Sequence, residues 1–305
     1  MDKPINIGGQ AVIEGVMIRS LNHNVVAVRA KGGIRVKKDK IPPRQGRFYK
    51  LPIIRGFYNL IDMMVLGMKS IMWSADQQTE QNEKISKKEM TLTVIISIFF
   101  AIGLFVALPY ALTYLGGFEE ASEPFLFNLV DGIIRIGIFL CYLVAISMMK
   151  DVKILFQYHG AEHMAIHCYE HSKKLTVSNV AKFTTLHPRC GTAFIMIVLV
   201  VAILVFSILT PILFYLFPGL VTMHWLPQKI LLFFTRILFL PFIAGISYEF
   251  LKYSAKFEKN PLMKIFIFPG LLMQKITTRK PTNKQIEVAI HAVLTTLKLE
   301  KAKAP

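Results

Sequence analysis

Four apolar runs, each long enough to cross a bilayer, constrain this chain more than any other feature. They fall at about 91–115, 126–149, 192–217 and 228–248. A helix needs about 20 predominantly apolar residues to span the hydrocarbon core. Only 18% of the 305 residues are charged and the mean hydropathy is +0.48, where a soluble domain carries roughly a quarter charged residues. The expectation is an α-helical integral membrane protein with four transmembrane helices, joined to a small cytoplasmic N-terminal β unit and amphipathic helices.

The formal net charge of +17 would suggest nucleic acid in a soluble protein. Here the bases flank apolar runs, so membrane topology and anionic lipid headgroups explain them better, and no nucleic-acid partner is expected. The loop after the first run carries Glu119, Glu120 and Glu123 and no base. The loop after the second carries Lys150, Lys153, Lys173, Lys174, Lys182 and Arg189. The tail from 250 is again basic. This alternation places both termini and the second loop in the cytoplasm. Met1 opens "MDKPINIGGQ" without a charged and then apolar leader, so no cleavable signal peptide is expected. Cys141, Cys168 and Cys190 are odd in number and have no framework spacing, which argues against a disulfide scaffold.

The chain divides accordingly. Residues 1–50 read as a β unit: "QAVIEGVMIRS", "VVAVRAK" and "GIRVKKDK" are β-branched runs broken at Asn22–Asn24 and Gly32-Gly33, as in a three-stranded meander. Residues 51–90 hold an amphipathic helix over 53–74, interrupted by Arg55, Asp62 and Lys69, and then a polar connector. Residues 91–149 are the first two spans, 150–191 a cytoplasmic His/Cys-rich segment, 192–249 the last two spans, and 250–305 a basic cytoplasmic tail. In that tail Thr282 and Gln285 fit a capping box. Ile286, Ala289, Ile290, Val293 and Leu297 then recur at helical spacing, predicting a short helix docked on the cytoplasmic unit.

The chemistry concentrates in "YHGAEHMAIHCYEH", Tyr158 to His171, which holds four of the chain's eight histidines. His159, Glu162 and His163 spell H-x-x-E-H. On a helix i and i+4 share a face, so the two imidazoles can share one metal ion with Glu162 beside them. The pattern is the inverted form of the zinc motif in which the glutamate acts as general base. A plain surface helix is the alternative. "HPRCGT", from His187 to Thr192, adds an H-x-x-C pair in the same loop, and Cys and His are both ordinary zinc ligands. Read without metal, they are a helix-end histidine and a buried thiol. His167 lies about 80° round the helix from His159, as a ligand or a partner behind one; His171 and Cys168 read as surface and packing. Glu249, at the cytoplasmic end of the fourth span, is a candidate last ligand or a simple interfacial carboxylate.

Charges inside spans are costly and usually paired. Asp131 and Arg135 are i,i+4 in the second span, and Arg236 lies in the fourth. A structural Asp131–Arg135–Arg236 network is favoured over a transport path. "GGQAVIEGVMIRS" is unusual for a strand, because glycine weakens strands unless backbone must approach something closely. A neighbouring strand is the simplest partner, ahead of the His helix or a substrate.

As a set, "GGQAVIEGVMIRS", "YHGAEHMAIH", "HPRCGT", "GISYEFLKYSAK", "PGLLMQKITTRKPT" and "QIEVAI" resemble the YqhQ-like family of bacterial membrane proteins. These stretches cover nearly the whole chain in order. The resemblance implies a bacterial cytoplasmic-membrane protein of a family predicted to be metal-dependent enzymes, with site positions at His159, Glu162, His163, His187, Cys190 and Glu249. One departure is Lys280, where an acidic residue is expected. Three functions stay open. One is a metal-dependent hydrolase using Zn2+, or another divalent transition metal, on a peptide or lipid-linked substrate. A second is a non-catalytic scaffold or partner of other membrane proteins with a structural metal. The third is a transporter or lipid-handling protein, for which four spans would call for a homo-oligomer.

Overall fold

The computed structural model describes residues 5–42, 49, 51–78, 87–257 and 260–302. The first apolar stretch forms two strands rather than one. β1 (Gly8–Val12) turns through Ile13 and Glu14 into β2 (Gly15–Arg19), and β3 (His23–Ala30) and β4 (Gly33–Lys40) complete an antiparallel meander in the order β1-β2-β3-β4. The turn needs a positive φ at Glu14 (52°), which β-run patterning does not reveal. The glycines serve a close neighbour, as the simplest reading held: a Cβ on Gly15 would sit 2.2 Å from the Ala27 carbonyl oxygen.

Both faces of this sheet are apolar and covered. Period-two alternation sends Met17, Val26 and Val28 to one face, where Met63 and Trp73 of α1 (Ile54–Asp76) pack on them. Val16, Ile18 and Ala27 point to the other. There they join Tyr158, Ala161 and Ala165 of α5 (Lys150–Glu170) and Ile286, Ala289 and Val293 of α11 (Asn283–Lys301). The outer strand β4 carries Lys37, Lys38 and Lys40, which discourages further pairing at that edge. α11 opens on the expected capping box, with Thr282 and Gln285 bonding each other's backbone N–H.

Among the described residues, four helical stretches are long and apolar enough to span a membrane, by length and composition: Thr91–Leu115, Pro124–Ser147, Gly191–Leu216 and Trp225–Ser254. The first is composite. α2 (Lys87–Ile102) passes through a π-helical turn (Gly103–Ala107) into α3 (Leu108–Leu115). The others are α4 (Pro124–Ser147), α7 (Gly191–Leu216) and α9 (Trp225–Lys256). Short α6 (Val177–Val180) and α8 (Gly219–Thr222) lie in connections. Three expected boundaries agree with the structure to within two residues. The fourth differs, because α9 runs on past 248 and carries Glu249 inside the helix. Most of the expected polar connector lies outside the described residues.

The tail holds a second helix that periodicity did not reveal, α10 (Pro261–Thr277), which packs against α4 and α7. Pro269 sits inside it, and proline ordinarily argues against a helix interior.

The charges within these apolar helices are paired, but not as one chain of three. Arg135 bonds Asp131 at 2.6 Å, while Arg236 donates to Glu120 (3.0 Å) and Asn128 (2.8 Å). Glu120 also accepts from Lys229 at 2.5 Å and is buried, although its sequence position reads as a loop. Burial excludes water from the carboxylate, so it requires both cations. A cavity of about 20 Å³ beside Asp131 and Arg135 has room for about one water.

Candidate metal centre

α5 follows α4 after a two-residue break at Met148 and Met149, so the His-rich helix leaves the second span directly. Within it His159, Glu162 and His163 are buried. The segment from Thr185 to Cys190 runs alongside, and α7 begins at Gly191 with Cys190 as its N-cap. α10 ends at Thr277, and the chain beyond it crosses α5 at Gly160. A Cβ on Gly160 would lie 2.2 Å from the Arg279 carbonyl oxygen, so only glycine permits that crossing. The Arg279 N–H donates to the Phe156 carbonyl at 2.9 Å.

These approaches orient the rings. His159 Nδ1–H donates to the Thr277 carbonyl at 2.8 Å, and His163 Nδ1–H donates to the Thr185 carbonyl. A neutral imidazole has one donor and one acceptor nitrogen. With both Nδ1 atoms committed, both Nε2 lone pairs turn inward. His159 Nε2 is 3.2 Å from Cys190 Sγ, and His163 stands beside the same sulfur. Two acceptor lone pairs thus converge on a thiol with a single proton. One is left short, and a cation bound by all three atoms would resolve the conflict. His159, His163 and Cys190 bring one ligand atom each within 4.8 Å of one another. Ring N–H groups held by backbone carbonyls are the usual support behind metal-binding histidines.

The electrostatics fit the same use. Burial works to raise the Cys190 thiol. The hydrogen bond and charge of His163 and the bonds from Thr192 outweigh it, leaving the pKa below its ordinary value. Burial lowers His163 and so favours its neutral, ligating form. Burial also pushes Glu162 up to about 8; the His159 charge and an N–H from Gly9 oppose this, and Cys190 adds to it. Glu162 Oε2 is buried and, among the described residues, accepts no hydrogen bond.

Other expected ligands lie elsewhere. His187 Nδ1 accepts the Arg189 N–H at 3.2 Å, which leaves Nε2–H to donate to Glu170 at 3.3 Å. Neither nitrogen has a lone pair free, so His187 departs from the expected ligand set. Its backbone is clamped from both sides by Gln274, whose side chain accepts the His187 N–H and donates to its carbonyl. His167 Nε2–H donates to the Leu186 carbonyl at 2.8 Å, holding the loop that carries the Thr185 carbonyl. Glu249 bonds Arg55 at 2.6 Å through Oε1. The longer α9 carries it to a partner on α1, away from the cluster. His171 is exposed and Cys168 is buried in the sheet core, as their positions suggested. The residues that orient the ligands, Thr185, Thr277 and Gln274, had no legible signal. Two act through backbone, and α10 itself was not read.

An apolar pocket of about 600 Å³ opens beside His159 and Cys190. Leu60 and Met63 of α1, Leu155 of α5, Phe194 of α7 and Tyr248 and Leu251 of α9 line it, and β1 forms one wall with Gly9, Gln10 and Ala11.

The fold and cluster therefore define a class: a mostly helical protein with four helices apolar and long enough to cross a membrane, whose buried His/His/Cys group faces an apolar pocket. Residues 51–299 match the family model described as protein of unknown function (DUF1385). The chain is 32% identical to "Uncharacterized protein YqhQ" of Bacillus subtilis (strain 168), across 97% of this chain and 94% of that protein. This chain belongs to that family. No solved structure matches it.

Proposed function

We propose that this protein is a metal-dependent hydrolase of the bacterial cytoplasmic membrane. Both termini and the His/Cys cluster lie on the cytoplasmic side, as the loop charges indicate. His159 Nε2, His163 Nε2 and Cys190 Sγ hold the ion, with zinc the best match to two imidazoles and a thiolate. The observation that carries the reading is the donor set. Three protein ligands converge, and the unpartnered Glu162 oxygen lies in the same electrostatic cluster.

Zinc, when bound, supplies Lewis acidity that makes water a usable nucleophile near neutral pH. Glu162 would accept a proton from the attacking water and return it to the leaving group. Its raised pKa keeps it near the working pH for both transfers. The nearby Gly9 N–H favours the ionised carboxylate. The Thr277 and Thr185 carbonyls fix the two rings, so the ligand atoms need no reorganisation.

A structural zinc site closes with four protein ligands, whereas a catalytic one keeps three and an open position. The departure of His187 from the set supports the open form. The test is metal content and hydrolysis of the purified protein beside Glu162→Gln. We expect stoichiometric zinc in both, and turnover reduced about 10²–10⁴-fold in the variant. Zinc retained with turnover unchanged would instead favour the scaffold with a structural metal. A wild-type protein purified without chelator and free of metal would overturn the reading.

A further inference from the structure

Resting on that hydrolase reading, hydrogen-bond parity along β1 identifies the class of substrate. In an antiparallel ladder, alternate residues turn their N–H and C=O toward one neighbour and the rest toward the opposite side. Arg29 N–H donates to the Glu14 carbonyl and Ser20 N–H to His23, so even-numbered residues of β2 face β3. The odd-numbered Gly15, Met17 and Arg19 then face β1, where they pair with Val12, Gln10 and Gly8. Gly9, Ala11 and Ile13 must therefore present their backbone groups to the outer edge. One of them shows it directly, Ile13 N–H donating to Ser74 Oγ at 3.1 Å, and the Gly9 N–H is close enough to Glu162 to lower its pKa.

Ala11 lies between them and lines the pocket. Its side chain packs toward the α5/α11 core, so backbone is what it offers there. Among the described residues, no hydrogen bond from outside the sheet reaches it. The pocket wall is thus apolar side chains on one side and an open strand edge on the other, two residues from the Gly9 amide beside Glu162.

We propose that the pocket binds an extended, apolar peptide segment, which adds as a strand to the free edge of β1 and so brings a peptide bond to Glu162 and the His159–His163–Cys190 group. An acyl chain fits the apolar wall equally well but would cover the Ala11 N–H and C=O without replacing their hydrogen bonds, which is costly for backbone groups. A peptide satisfies both while its alternate side chains occupy the surfaces of Leu60, Met63 and Phe194. Such a segment is an unwound stretch of a membrane-bound polypeptide.

The test uses full-length Glu162→Gln protein in detergent after chelation, so that binding is read apart from metal and turnover. The probe is a fluorescent Leu- and Ala-rich peptide, compared with the same sequence N-methylated at alternate amides and with a fluorescent fatty acid. We expect the unmethylated peptide to bind, N-methylation to weaken it about tenfold, and Ala11→Pro to weaken it similarly while leaving the fatty acid unaffected. Proline at this outward-facing position removes no bond of the sheet itself. Equal binding of both peptides, or binding of the fatty acid alone, overturns the proposal and points to a lipid substrate. Either result leaves the hydrolase reading standing, and a failed zinc assay leaves the peptide-binding result standing.

Discussion

Two groups of three ligand-type side chains share one side of α5, and they have come to opposite ends. His159, His163 and Cys190 form one; His167, Glu170 and His187 form the other. The two lie close together, with the His163 and His187 rings 5.6 Å apart. In the first, every outward N–H is taken by a backbone carbonyl, so lone pairs point inward and compete for one thiol proton. In the second, donors meet acceptors one for one: His187 gives to Glu170, His167 gives to Leu186, and Arg189 pairs with Glu170. His187 and Arg189 also hold the Glu170 carboxyl below its ordinary pKa against the effect of burial. The first group is frustrated without a cation, and the second is satisfied without one. Counting ligand-type residues does not distinguish them; hydrogen-bond direction does.

The comparison breaks first at the metal. His163→Ala or Cys190→Ser should reduce bound zinc, read by elemental analysis, to a small fraction of wild type, while Glu170→Gln leaves it stoichiometric. Equal losses in both would mean that the two groups form one site. Gly160→Ala comes next. The added methyl meets the Arg279 carbonyl and displaces the chain that carries the Thr277 acceptor. Zinc affinity should fall about 10–100-fold through the loosened His159 ring, with about 1–3 kcal/mol of stability lost to overpacking. Competition with a chromogenic chelator and thermal unfolding read the two effects separately.

A second histidine–glutamate contact gives a smaller test of what satisfied pairing contributes. Glu300, at the end of α11, accepts from His23 Nδ1 (2.7 Å), Ser20 Oγ (2.7 Å) and Asn22 Nδ2 (2.8 Å). Burial pushes its pKa up, but these bonds outweigh it and hold the carboxyl down to about 2. An unfolded glutamate titrates near 4.3. Its stabilisation is therefore present above about pH 4 and lost as pH falls toward 2. Glu300→Gln should cost about 1.5–3 kcal/mol at neutral pH, and the gap from wild type should close below about pH 3 in urea titrations. The smallest effect belongs to the second triad. Glu170→Gln keeps an acceptor for His187 and loses the charge that pairs with partly exposed Arg189, so about 1 kcal/mol or less is expected.

The four long apolar helices were legible because their signals are local. An apolar run of sufficient length has few alternatives, and three of four helices end within two residues of where hydropathy placed them. The capping box of α11 is likewise written in adjacent residues. The hairpin at Glu14 was hidden by apolar residues that continue across the turn. α10 was hidden by Pro269, and Glu120 by a loop position that gives no hint of burial.

The H-x-x-E-H spacing determined, on its own, that His159 and His163 would share a face with Glu162 beside them, because helical geometry is fixed by sequence separation. It could not assign Cys190 to that pair and His187 away from it. Those two lie three residues apart, and both are chemically fit to bind zinc. Nor could it pair Glu249 with Arg55, 194 positions away. The Glu249 pairing depends on the packing of α1 against α9, and the ligand assignment on where the carbonyls of Thr185 and Thr277 arrive, and so on the approach of α10 and the loop before α7. A backbone carbonyl has no letter in the sequence, and only the tertiary structure sets the direction in which it points.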